Sequence, residues 1–226
     1  MPFFEDTGPR PEEERSPIWR AVAHIGERPE QMVALNLLWT LQAAPLLLAW
    51  AFPAWPLPLR LALSLYTAVA LIPVGAALLE LLAAVGRGQP VGREDLGPAL
   101  RRHAWRSLRV FVPLFTLVAG LLGLTVWADG RELTALGVAT RLALLWLGVL
   151  SVHWGGAYLE GCEAWGVLAV SARRFWQRPG LTLAAALVAA LALLLGLASV
   201  GGFFLIVPVF LGLLQVELAR PFQVAV

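Results

Sequence analysis

Apolar residues fill this chain in long blocks rather than at alternating positions. The stretches Gln31 to Leu59, Leu61 to Leu79 and Val110 to Ala128 hold no charged side chain, and Pro179 to Val216 is an uncharged run of 38 residues. A helix needs roughly 20 apolar residues to cross about 30 Å of hydrocarbon, so the last run is long enough for two crossings. Barrel strands would instead alternate polar and apolar over about ten residues. The blocks predict an all-α, polytopic membrane protein with six transmembrane helices over residues 31–52, 57–85, 110–128, 133–159, 181–198 and 203–218. Ser199, Gly201 and Gly202 mark the turn between the last two, glycine being the usual breaker.

Between the blocks lie shorter amphipathic segments. In Ser16 to Arg28, Ile18, Val22 and Ile25 form one stripe, with Ser16 placed to cap and Pro17 suited to the first turn. In Asp95 to Leu108 the stripe is Leu96, Leu100, Ala104 and Leu108; in Trp165 to Trp176 it is Leu168, Ala172 and Phe175. Such segments suit the bilayer surface. The organisation expected is therefore a cytoplasmic tail with an amphipathic helix over 1–30, a six-helix membrane domain over 31–220, and a short cytoplasmic tail over 221–226. The first thirty residues do not read as a cleavable signal peptide, being polar and partly acidic.

Composition agrees. Hydrophobic residues make up 59% of the 226 and charged residues 14%, where a soluble domain carries about a quarter charged. All 17 basic side chains are arginine. In six-span topology fourteen fall on one side: Arg10, Arg15, Arg20 and Arg28; Arg87, Arg93, Arg101, Arg102, Arg106 and Arg109; Arg173, Arg174 and Arg178; and Arg220. Arg60 and Arg131 fall on the other, and Arg141 lies inside the fourth span. Short Arg-rich loops stay cytoplasmic, which places both termini on the cytoplasmic side of the membrane. Arg101, Arg102, Arg106, Arg173 and Arg174 are then expected at lipid headgroups rather than on nucleic acid. Among the ten tryptophans, Trp50, Trp55 and Trp127 fall near the outer interface and Trp19, Trp105, Trp165 and Trp176 near the inner one; Trp39 and Trp146 are expected between helices.

Chemistry is sparse. One cysteine, Cys162, excludes an internal disulfide and a cysteine-based metal site; His24, His103 and His153 are far apart in sequence; and no Walker loop, HExxH or GxSxG occurs. Neither catalytic residues, a metal nor a cofactor is expected. The candidates are polar groups within the spans, costly in lipid and often functional: Asn36 and Gln42 in the first, Glu80 at the inner end of the second, Arg141, His153 and Glu160 in the fourth, and Glu217 closing the sixth. Each has a structural alternative: a contact between helices for Asn36 and Gln42, a loop arginine or water for the glutamates, outward snorkelling for Arg141. An internal echo bears on two of them. Gly75 to Glu80 reads GAALLE and Gly155 to Glu160 reads GGAYLE, each followed by an amphipathic stretch with paired arginines (Arg101 and Arg102, Arg173 and Arg174) and then another span. Either chance or a parallel repeat with a shared Glu80–Glu160 site would produce it.

The stretch LNLLWTLQAAPLLL, with Asn36, Trp39 and Pro45, resembles the opening of the YesL-like family of bacterial inner-membrane proteins. IPVGAALLELLAAVGRGQPVGREDLGPALRRH is similar to that family's second block through Pro73, Ala76, Ala77, Arg87 and Asp95, and the later block is matched through Tyr158 and Pro179. The family commonly has G-P-A or P-A-T where this chain reads PVGAA. The family is uncharacterised but associated with carbohydrate-uptake genes, so the resemblance implies solute transport or an accessory role in uptake. The alternative is a structural or assembly protein that docks a cytoplasmic or membrane partner. Besides the lipid bilayer, a membrane transport complex or a second copy of the chain is the expected partner. Prolines Pro45, Pro73 and Pro208, if they break their helices, would favour transport.

Overall fold

A computed structural model of the chain describes residues 16–27, 29–89, 91–199 and 206–223. Among these, every regular element is helical. In chain order they are α1 (Pro17–Glu27), α2 (Pro29–Ala51), α3 (Leu57–Gly86), α4 (Leu96–Gly130), α5 (Thr134–Ser151), α6 (Trp154–Leu159), α7 (Ala164–Gln177), α8 (Pro179–Ala198) and α9 (Val207–Gln223). The acidic part of the N-terminal tail, the glycines of the expected turn after Ser199 and the start of the expected sixth span lie outside the described residues.

Five of these helices, α2, α3, α4, α5 and α8, are long and apolar enough to cross a membrane. The sixth expected span corresponds to α9, whose 17 residues give about 25 Å at 1.5 Å per residue. Large apolar side chains, among them Leu41, Leu65, Leu145 and Leu195, cover the outside of the bundle, as expected where lipid is the solvent. The interior is filled by Leu82, Leu114, Leu213, Leu214 and Leu218, all nearly inaccessible. On α8, Ala185 is fully buried, and Ala186 and Ala189 pack beside it toward Val152 of the α5–α6 turn and Leu214 and Leu218 of α9. Small residues let backbones approach closely.

The structure answers one open question about the prolines and revises two sequence expectations. First, α2 and α3 run unbroken through Pro45 and Pro73, as α4 does through Pro113, and Pro208 sits in the first turn of α9, where a missing N–H costs nothing. Second, the fourth span is not one helix over 133–159: α5 ends at Ser151, and α6 begins at Trp154 after a turn at Val152 and His153. Gly155 and Gly156 follow the break because α9 passes too close for side chains. A Cβ on Gly155 would lie 2.1 Å from Gln215 Oε1, and one on Gly156 2.6 Å from the Ala219 Cβ. Gln215 compensates the interrupted ladder: its amide nitrogen donates to the Ser151 carbonyl at 3.4 Å, and its oxygen accepts from the Gly155 N–H at 2.9 Å. Freed backbone groups inside a membrane protein need such partners.

Third, the most deeply buried faces of α4 and α7 lie one position before the expected stripes, whose Leu96, Leu100, Leu168 and Phe175 still pack against the bundle. In α4 the buried residues are Ala99, His103, Ser107 and Val110, and in α7 they are Ala164, Val167, Ser171, Arg174 and Phe175. The interfacial part of α4 and its span form one 35-residue helix. On α1, Ala21 is buried while Ile18 and Ile25 pack against the bundle, and Val22 turns outward with Trp19. Trp39 packs against the core, whereas Trp146 is 39% exposed and sits edge-on to Phe175 at 4.5 Å.

Candidate functional site

The ends of α3, α4, α6, α7 and α9 converge with α1 at the arginine-rich end of the bundle, and three glutamates meet three helix-borne arginines there. Glu80 of α3 accepts from Arg102 of α4 at 2.5 Å. Glu160, at the end of α6, accepts from Arg174 of α7. Glu217 of α9 accepts from Arg20 of α1 at 2.7 Å. Glu160 caps its helix, while Glu80 and Glu217 lie within the last two turns of theirs, and in every case the arginine comes from an amphipathic segment packed against the carboxylate. Each amphipathic segment is thereby tied to the bundle by its buried face and by charge-assisted hydrogen bonds, the stronger kind.

Around Glu80 the network extends. His103 Nε2 lies 2.8 Å from the other carboxylate oxygen, and Nδ1 lies 2.6 Å from the Tyr158 hydroxyl. With Glu80 ionised, Nε2 carries the proton and Nδ1 accepts from Tyr158, so both ring nitrogens of this buried histidine are satisfied. Arg106 donates to the Tyr158 carbonyl and holds its guanidinium 4.5 Å from that ring's centroid. Tyr158 itself is inaccessible and packs on Phe111 at 5.0 Å. A phenol sealed this way cannot meet a substrate, so the Tyr158–His103–Glu80 chain joins α6 to α4 and α3 rather than supplying a nucleophile.

Glu217 is fully buried between two guanidiniums, those of Arg20 and of Arg220 at 3.0 Å, with the His24 ring 3.4 Å away. Arg174 is only 4% exposed. Removing one partner from a buried pair leaves the other uncompensated, at a cost of about 3–5 kcal/mol.

The remaining candidates are dispersed. Asn36 is buried, and its side-chain oxygen accepts from the Val209 N–H at the start of α9, at 3.2 Å. Gln42 is partly exposed on α2, away from the glutamate clusters. His153, two residues beyond α5, donates to or accepts from Thr182 of α8 at 3.0 Å. Since Thr182 already donates to the Arg178 carbonyl, His153 Nε2 is the donor. Arg141 is at the opposite end, joined to Asp129 at 2.6 Å with both side chains about half exposed; a pair so placed contributes about 0–1 kcal/mol. Arg141 therefore does not share a site with Glu80 and Glu160.

The arginines expected at headgroups divide. Arg101 and Arg173 are exposed. Arg102 is exposed but bonded to Glu80, Arg106 turns inward to Tyr158, and Arg174 is buried. For the last two the headgroup expectation gives way to an internal one, because carbonyl and carboxylate acceptors lie within reach below them.

The echoed elements have different local structure. Gly75 to Glu80 lies within continuous α3, and a Cβ on Gly75 would meet nothing within 4 Å. Gly155 to Glu160 follows a helix break, with Gly155 pressed against α9. What the two share is the ion pair: each glutamate takes the second arginine of the downstream pair. The carboxylates are thus neutralised separately and do not form a joint acidic site.

Sequence reasoning passed over His103, Tyr158, Arg20 and His24 as partners. His103 had a signal, a polar residue in register with Ala99 and Ser107; the Arg20–Glu217 pair, 197 positions apart, had none. Among the described residues no cluster of three or more His, Cys, Asp or Glu could hold a metal ion. Compared with family models, curated proteins and solved structures, the chain shows no match.

Proposed function

We propose that this chain is a six-span protein of a bacterial inner membrane, both termini cytoplasmic, that serves as an accessory or docking component of a membrane transport complex. One observation carries the reading: the candidate glutamates form fixed ion pairs at one end, and Arg141 pairs with Asp129 at the other, instead of lining a path between the ends. A carrier places its polar groups near the midplane, commonly where helices are broken; here α2, α3 and α4 run through their prolines intact. The α9 segment supports the sixth span, since its Glu217 returns to the same end as α1 and the end of α3. The resemblance to the YesL-like family points the same way, toward an accessory role in carbohydrate uptake. Solute transport by the chain itself is the second reading, and the break at Val152 and His153 is the feature that favours it.

Thiol labelling with a membrane-impermeant reagent in a Cys162→Ser background tests topology and interior together. Cysteines introduced at 26, 173 and 226 should react only from the cytoplasmic side, and those at 54 and 131 only from the opposite side. Gln42→Cys and Thr67→Cys should react from neither. Outside labelling at 226 would contradict the six-span reading; labelling at 42 or 67 would replace the docking role with a solute path.

A further inference from the structure

The arginine-rich end contains a cleft that the three ion pairs do not fill. It has a volume of about 300 Å³ and lies between α3, α4, α6 and α9, at the small end of the roughly 300–1,000 Å³ typical of ligand sites. Arg87, Arg102 and Arg220 line it with His103, against a single carboxylate, Glu80; Leu159 supplies apolar wall. The positive charge is in excess even after pairing. Arg102 uses one nitrogen on Glu80 and Arg220 one on Glu217, whereas a guanidinium carries five N–H donors in a fork that matches phosphate oxygens two at a time. Gly86 helps shape the wall: a Cβ there would lie 2.5 Å from Arg220 Nη2, so glycine leaves that head group its place beside the cleft.

We propose that this cleft binds a phosphate group, carried either by the headgroup of an anionic lipid or by a soluble phosphate ester. Arg87, Arg102 and Arg220 grip its oxygens, while Glu80 holds Arg102 and His103 in position and repels a second anion. This is a bounded site, distinct from the general attraction of exposed Arg101 and Arg173 to an anionic surface. It stands whether the chain docks a partner or carries a solute.

The test uses the full chain in nanodiscs. In phosphatidylcholine discs, glycerol 3-phosphate is titrated while the thermal unfolding midpoint is followed, since a ligand that binds only the folded state raises it. In a second arm, discs containing phosphatidylglycerol replace the soluble probe. Wild type should be stabilised in at least one arm, and which arm responds identifies the source. Arg87→Gln and Arg220→Gln should each weaken the response at least tenfold in midpoint concentration of probe or lipid, whereas Arg101→Gln, which removes the same charge from α4 outside the cleft, should leave it within twofold. Arg87 is exposed and bonded only to nearby Gln89, so its variant remains informative if Arg220→Gln fails to fold. No stabilisation in either arm, or an equal loss from Arg101→Gln, would overturn the proposal.

Discussion

Glu217→Ala should destabilise the protein by about 3 kcal/mol and release α1 from the bundle. The substitution leaves Arg20, Arg220 and His24 facing one another around an empty acceptor. Breaking a buried pair costs about 3–5 kcal/mol. The lower end applies because Arg20 and Arg220 retain 15% and 29% side-chain exposure and can turn toward water. Glu217→Gln keeps the shape and one acceptor, so its loss should be smaller. Denaturant unfolding in detergent reads the first effect, and proteolysis within residues 16–28 reads the second. Unchanged stability with unchanged cleavage would mean that α1 is held by its apolar face alone.

Gly156→Leu is the second large change. Its Cβ would lie 2.6 Å from the Ala219 Cβ and 3.2 Å from the Gln215 carbonyl, two atoms that move only if α9 moves. Overpacking typically costs about 1–3 kcal/mol; with a rigid helix on the far side, about 3 kcal/mol is expected. The shift would also pull Gln215 from Ser151 and Gly155, reopening the break between α5 and α6. Gly75→Leu, in the echoed segment, meets nothing within 4 Å and should change the unfolding midpoint little. Equal losses from Gly75→Leu and Gly156→Leu would restore a structural repeat.

Much of the helical layout was legible because the uncharged blocks are long. The five helices long and apolar enough to cross a membrane fall where the runs of Leu, Ala and Val lie, and each amphipathic segment became helical. Three features were not legible, for separate reasons. The break after Ser151 depends on α9 arriving beside Gly155 and Gly156, a contact 60 positions away in sequence that local periodicity cannot register. The buried faces of α4 and α7 shifted because burial there follows hydrogen-bonding partners as well as hydropathy. His103 and Arg174 are polar, yet Glu80, Tyr158 and Glu160 make their burial affordable, whereas a stripe drawn from apolar residues alone selects Leu100 and Leu168. Finally, Arg141 reads as intramembrane from its position in the fourth apolar block, but Asp129, in the last turn of the neighbouring helix, gives it an exposed partner.

The glutamates fasten amphipathic helices to the bundle, and a double-mutant cycle on Glu160 and Arg174 reads the strength of that fastening. Glu160→Gln, Arg174→Met and the pair together would be unfolded in the same detergent, and the coupling taken as the departure from additivity. Because Arg174 is 4% exposed and its partner 26%, the cycle should return a coupling of about 1–3 kcal/mol, with the double variant more stable than the sum of the single losses predicts. A coupling indistinguishable from zero would contradict the claim and leave Glu160 free for another role.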